Sequence, residues 1–160
     1  MELSVRCANL SDAAALALLR WRWRSKERGE AGLSADEFVD AFADWMSEHS
    51  ASHLAWIAEA EEAPVGMAWL AVIHRIPGPG QWLRLSGNLQ SVYVVPERRG
   101  SGAGERLVRA VVDRARGLGL EYISVHPSER SFSLYRRLGF EESSGVLELR
   151  DDSLAIRRVP

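Results

Sequence analysis

Residues 92–104 read Val-Tyr-Val-Val-Pro-Glu-Arg-Arg-Gly-Ser-Gly-Ala-Gly. An apolar run ends at a proline, two arginines follow, and Gly100, Gly102 and Gly104 alternate with small residues. This is the pattern of a strand that turns through glycines directly into a helix. Glycine lacks the Cβ that would keep an anion off the backbone. A helix N-terminus adds unbonded N–H groups and the positive end of a dipole. Arg98 and Arg99 bring full charges to the same junction. From Arg98 to Arg116 six arginines stand against Glu105 and Asp113, a surplus of four in a chain with 20 basic and 22 acidic residues. The chemistry such a junction serves is the binding of a polyphosphate.

Two common polyphosphate folds fit it poorly. A P-loop needs Lys-Ser/Thr after its last glycine, where Glu105-Arg106 stands. A dinucleotide fold wants G-x-G-x-x-G after a first strand, but the spacing here is G-x-G-x-G and lies past mid-chain.

The elements that must hold this junction follow from the pattern of the 160 residues. A strand is expected over residues 3–7. A helix capped by Ser11 runs to about Lys26, until Gly29 and Gly32 break it. Ser34 and Glu37 spell a capping box. Behind them Phe38, Ala41, Phe42, Trp45 and Met46 keep the helical period. Residues 53–60 and 65–76 read as a hairpin about a turn at 61–64, its second strand apolar enough to be central. A strand at 89–95 precedes the glycine turn, and a helix with Leu107, Val108, Val111, Val112, Ala115 and Leu118 on one face follows it. A short strand at 121–126, a helix from Ser128 to about Leu138, and late strands at 140–150 and 154–159 complete the order. The fold class expected is α/β, with a mixed, mostly antiparallel central sheet and helices on both faces, in the order β-α-α-β-β-β-α-β-α-β(-β). One domain over residues 1–160 is expected.

Composition closes other avenues. A net charge of −2 does not suit a nucleic-acid binder working through bulk positive charge. Cys7 is the single cysteine, so no disulfide forms within the chain. The longest apolar runs, residues 13–19 and 65–73, fall short of the ~20 residues a membrane span needs, and the start lacks the basic region of a signal peptide. A cytoplasmic location is expected, with no membrane, nucleic-acid or metal partner.

Arg99-x-x-Gly102-x-Gly104 after Val94-x-Pro96 resembles the acyl-CoA signature of the GCN5-related N-acetyltransferases, R/Q-x-x-G-x-G/A. A second block, Ser128-x6-Tyr135-Arg-Arg-Leu-Gly-Phe140, resembles that family's late helix, and the order of elements matches its topology. The resemblance implies an enzyme that transfers acetyl from acetyl-CoA to a primary amine by direct attack in a ternary complex. It implies that the strand before the glycine turn splays from its neighbour. The backbone of Val92, Tyr93 and Val94 would then bond the pantetheine arm and the acyl carbonyl. The amides of Gly100, Ser101, Gly102, Ala103, Gly104 and Glu105, with Arg99 alongside, would take the pyrophosphate. An arginine fork suits phosphate, and this chain has 19 arginines and one lysine. Ser128 stands where relatives carry a residue touching the pantetheine arm, usually Asn; as a plain N-cap it is equally well explained. Tyr135 would protonate the leaving thiolate; by periodicity alone it is a core tyrosine.

A general base is not legible. The strand position where relatives hold a carboxylate carries Gln90, with Asn88 before it; His126, His74 or Glu59 acting through water, or a water chain alone, stay open. The acceptor, a small molecule or peptide amine, would lie near Trp21, Trp23, Phe38, Phe42 and Trp45. Glu27, Glu30, Asp36 and Glu37 there read first as a solvated loop and helix start. The sharper reading makes them a mouth for a cationic amine, with Trp21 or Trp82 as a wall. A non-catalytic acyl-CoA binder or sensor is the alternative function. The chain is expected to act as a monomer or homodimer.

Overall fold

Five strands pair in chain order into one sheet in the computed structural model, which describes residues 2–150. They are β1 (Leu3–Cys7), β2 (His53–Ala60), β3 (Ala63–Arg75), β4 (Arg84–Val94) and β5 (Ile123–Val125). The pairings β1–β2, β2–β3 and β3–β4 are antiparallel, and β4–β5 is parallel. The central β3 is buried from residue 65 to 71, as its unbroken apolar run demands.

The helices are α1 (Ala13–Trp21), α2 (Ala35–Glu48), α3 (Ala103–Leu118) and α4 (Phe132–Arg137). A Cβ on Gly66 of β3 would meet Leu107 of α3 at 3.2 Å, whereas Trp69 meets Phe42 and Trp45 of α2 edge-on at 5.7 and 5.9 Å. Positions 66 and 69 of a strand face opposite ways, so α3 and α2 cover opposite faces of the sheet. Leu107, Val108 and Val111 are fully buried on the stripe expected of α3. Ser34 and Glu37 form the reciprocal capping box at the start of α2.

Several boundaries differ from the sequence expectation. Ser11 does not cap the first helix. Asn9 caps a short 3₁₀ turn, Leu10–Asp12, in a capping box with Asp12, and α1 grows from it. The Asp12 carboxylate also takes both Nη atoms of Arg6, at 2.9 and 2.8 Å. After Trp21 the helix widens into a π-helical stretch, Arg22–Glu27, where the Arg28 N–H bonds back five residues to the Trp23 carbonyl at 3.1 Å. The hairpin turns on Glu61 and Glu62 alone, both at positive φ. β4 begins at Arg84, five residues early, because β3 extends far enough to pair with it to Arg75. That pairing overrides a locally polar, glycine-containing stretch.

The strand expected at 140–150 is not formed: Val146, Leu147 and Leu149 are exposed, and this stretch pairs with no strand among the described residues. Apolar alternation favours a strand only where a partner edge receives it. The strand expected at 154–159 lies outside the described residues. The chain divides into two compact units, one up to His126 and one from Pro127.

Candidate active site

β4 changes character halfway along. Gly87, Asn88 and Leu89 pair with Ile123, Ser124 and Val125 of β5, and the pairing stops there. From Gln90 to Val94 β4 keeps only β3 as a neighbour among the described residues. Backbone N–H and C=O groups on its other side are therefore presented to whatever enters. Within this open half lies a bulge. Met67 faces Tyr93 and Trp69 faces Gln90, so Ser91 and Val92 together oppose Ala68. Ser91 adopts a φ of +52°, a conformation that non-glycine residues take seldom and mostly where structure forces it.

The open half runs into the glycine turn. Gly100 and Gly102 sit at φ of +77° and +87°. A Cβ at either would meet nothing within 4 Å, so glycine is needed here for backbone conformation and not for room. The Ser101 hydroxyl donates to the Arg98 carbonyl at 2.6 Å and pins the turn. The Arg106 N–H closes the first turn of α3 on the Gly102 carbonyl at 3.0 Å. The amides just ahead of it, Ala103 and Gly104, thus point beyond the helix end.

Arg99 lies at this turn and is already oriented. Its Nε donates to the Val94 carbonyl at 3.1 Å and its Nη2 to Glu27 at 2.7 Å, and it lies over the Tyr93 ring. Glu27 uses its other oxygen to accept from the Tyr93 hydroxyl. Burial alone would raise the Glu27 carboxyl. The Tyr93 and Arg99 hydrogen bonds outweigh that and hold it below the usual carboxylate range. Burial, and then the Glu27 charge, push the Tyr93 phenol well up. A guanidinium has five N–H donors, so Arg99 keeps donors for a phosphate.

The acids near the first two helices are occupied by their neighbours. Glu27 is bound as described, Glu30 takes Arg24 at 2.5 Å, and Glu37 caps Ser34 at 2.9 Å. An acidic mouth built from these carboxylates is not what the chain forms. Trp21 is no wall either: its Nε1 donates to the Leu33 carbonyl at 3.0 Å. Trp82 is 83% exposed. Trp23 is the tryptophan turned to the site, stacked on Tyr93 at 5.6 Å.

Of the base candidates, Glu59 is held by Arg6 at 3.0 Å. Gln90 donates to Asn88 at 2.9 Å, and Asn88 to Ser124 at 3.0 Å. His74 is exposed at the far end of β3, and His126 follows β5. Cys7 lies on β1, at the opposite end of the strand order from β5.

Ser128 and Tyr135 belong to the second unit. Ser128 stands at the N-cap position of a 3₁₀ turn, its hydroxyl 3.0 Å from that of Ser131. Tyr135 is buried on α4, with Phe140 edge-on at 5.4 Å. Burial pushes its phenol up to about 12, and its hydroxyl bonds no protein group among the described residues.

The sequence missed Arg20, Trp23 and Glu27 as one group. They stand at i, i+3 and i+7 on a single helix, and a count along that face would have found them. The Ser91 bulge left no sequence signal.

Comparison with known proteins agrees with this architecture. The family model for the acetyltransferase (GNAT) family matches residues 15–140. An uncharacterized N-acetyltransferase, YhfO of Bacillus subtilis, is 30% identical over 149 residues, covering 91% of this chain and 94% of its own. An L-methionine sulfoximine/L-methionine sulfone acetyltransferase of Pseudomonas paraeruginosa is 46% identical over 57 residues, 33% of each chain. The fold matches that of a predicted acetyltransferase of Clostridium acetobutylicum crystallised with acetyl-CoA, at a TM-score of 0.76 and 21% identity, over 93% of this chain and 96% of that one. A mixed sheet opened beside β4 and a glycine turn into α3 define an acyl-CoA-type acyltransferase fold. The chain belongs to the acetyltransferase (GNAT) family.

Proposed function

We propose that this chain transfers the acetyl group of acetyl-CoA to a primary amine by direct attack of the amine on the thioester. The observation that carries the reading is the open half of β4 running without interruption into the positive-φ glycine turn and the start of α3. The residues fit the coenzyme: a line of unpaired backbone groups suits an amide-bearing arm, and turn amides beside an arginine suit a pyrophosphate.

The backbone of Val92, Tyr93 and Val94 holds the pantetheine arm and the acyl carbonyl. The amides of Gly100, Ser101, Gly102, Ala103, Gly104 and Glu105 hold the pyrophosphate, with the remaining donors of Arg99. Ser128 contributes a contact to the arm. The coenzyme supplies an acyl group activated as a thioester. Hydrogen bonds to its carbonyl favour the charge that develops on oxygen. The amine loses its proton to water, its nitrogen bonds the acyl carbon, and the carbon–sulfur bond breaks. Tyr135 gives its phenolic proton to the departing sulfur and regains one from solvent.

Calorimetric titration with acetyl-CoA tests this, with CoA lacking its 3′-phosphate and ATP as controls, followed by a screen of primary amines. Binding of acetyl-CoA in the micromolar range with amine-dependent release of CoA is expected. Binding without turnover of any amine would leave an acyl-CoA sensor. No binding would overturn the reading.

A further inference from the structure

Arg20 sits in the last turn of α1 and reaches across to the bulge of β4. Its Nη1 donates to the Ser91 hydroxyl at 2.9 Å, and its guanidinium lies 5.3 Å from the Trp23 ring centroid. It is half-buried. The other half-buried arginines among the described residues each meet a carboxylate: Arg22 with Glu97, Arg24 with Glu30, Arg75 and Arg84 with Glu121, Arg98 with Glu61. Arg20 alone of that group meets none.

The neighbours do not relieve the charge. Arg24 and Arg28 add positive field, and Glu30, whose field opposes theirs, is bound to Arg24. Burial, with Arg24 and Arg28, disfavours the Arg20 cation. An arginine nonetheless stays protonated. A partly desolvated cation without a counter-ion is costly unless a ligand brings one. Ser91 occupies one N–H of the guanidinium, and the Nε–Nη2 edge keeps the paired donors that match a carboxylate.

The position matters as much as the charge. Ser91 directly precedes Val92, where the proposed function puts the acyl carbonyl. In an α-amino acid one carbon separates amine from carboxylate. A carboxylate held beside Ser91 therefore brings its own amine next to the thioester. We propose that the acceptor is an amine bearing a carboxylate, an α-amino acid or close analogue, and that Arg20 receives the carboxylate at the β4 bulge. This rests on the acyl-transfer reading above.

The test sets free L-α-amino acids against their decarboxylated amines and primary amides, for example leucine, isopentylamine and leucinamide. Rates of CoA release are measured for wild type, Arg20→Met and Arg20→Lys, with circular dichroism as the folding control. The free acids should exceed their carboxylate-free counterparts in kcat/KM by about tenfold or more, the scale of one charge-assisted contact. Arg20→Met should abolish that preference and raise KM for the acid while KM for acetyl-CoA stays within about twofold. Arg20→Lys should restore part of it, which also keeps the test decisive if Arg20→Met fails to fold.

Carboxylate-free amines used as well as the acids would overturn the proposal. So would an Arg20→Met variant that loses all acceptors equally, since Arg20 would then serve only to brace the bulge. Acetyl-CoA binding without turnover of any amino acid also overturns it. Absence of acetyl-CoA binding overturns the acyl-transfer reading itself, and the acceptor assignment with it.

Discussion

The carboxylate of Glu27 and the guanidinium of Arg99 meet at 2.7 Å, tying the end of the first helical segment to the turn between β4 and α3. The other oxygen of Glu27 takes the hydroxyl of Tyr93, whose residue is 3% exposed. Removing the carboxylate leaves a largely buried phenol without its partner, a loss of about 1–3 kcal/mol. Glu27→Ala should show that loss in urea denaturation. Adding Tyr93→Phe should cost less in that background than in wild type, because one contact is shared. Strictly additive losses would mean that the two side chains do not act together.

Arg99→Ala should raise KM for acetyl-CoA by about 10- to 100-fold, as expected for a charge-assisted phosphate contact worth about 1.5–3 kcal/mol. Its kcat should change little, since the phosphates lie far from the reacting carbon. Steady-state kinetics with acetyl-CoA varied decide this, and unchanged coenzyme kinetics would remove Arg99 from the site.

Tyr135→Phe should lower kcat by about 10²-fold while the calorimetric Kd for acetyl-CoA holds, the signature of a lost proton donor. The pH profile gives an independent check. Burial pushes the phenol up to about 12, so the proton-bearing form persists well beyond neutrality. Wild-type kcat should therefore not decline between about pH 8 and 10 for want of this proton, whereas an ordinary phenol would be half ionised near 10. A descending limb below pH 10 that Tyr135→Phe abolishes would contradict the raised value.

Arg6 and Asp12 make a prediction about acid stability. Hydrogen bonds from Arg6 hold the Asp12 carboxyl below its ordinary 3.8, against the opposing effect of burial. A depressed folded value means that the stabilisation is fully present above the unfolded value. It is lost as pH falls from about 4 toward the folded value. Asp12→Ala should cost about 2–3 kcal/mol near neutrality, combining a helix cap with charge-assisted bonds. The variant's deficit against wild type should shrink below pH 4. A deficit independent of pH would assign the effect to packing.

The parts of the fold written in local chemistry were legible from the chain. The Ser34–Glu37 box, the stripe on α3 and the strand–glycine–helix junction each depend on residues close in sequence, and each formed as read. The start of β4 was not legible, because Arg84 joins the sheet only through Arg75 of the preceding strand. The carboxylates were misjudged for a related reason. Glu27 reads as one of several loop acids until the fold brings Tyr93 and Arg99, 66 and 72 residues away, to its two oxygens. Arg20 was invisible as a binding group because its distinction is the lack of an acid that the fold supplies to comparable arginines. The same limit applies to the strand expected at 140–150, where composition described a strand but no edge received it.

The π-helical stretch after α1 gives the first helical segment a property that its neighbours lack: its phase is adjustable. A π turn holds one residue more than an α turn. Deleting a residue between Arg22 and Lys26 would return the stretch to α-helical winding and rotate all that follows by roughly 100° relative to α1. Arg20, upstream of the insertion, would keep its hold on Ser91, while Glu27 would swing away from Tyr93 and Arg99. A single-codon change could thus uncouple the two ends of the cleft without altering any residue that touches it. Insertions and deletions in this short stretch offer a route to new acceptors over an unchanged coenzyme platform.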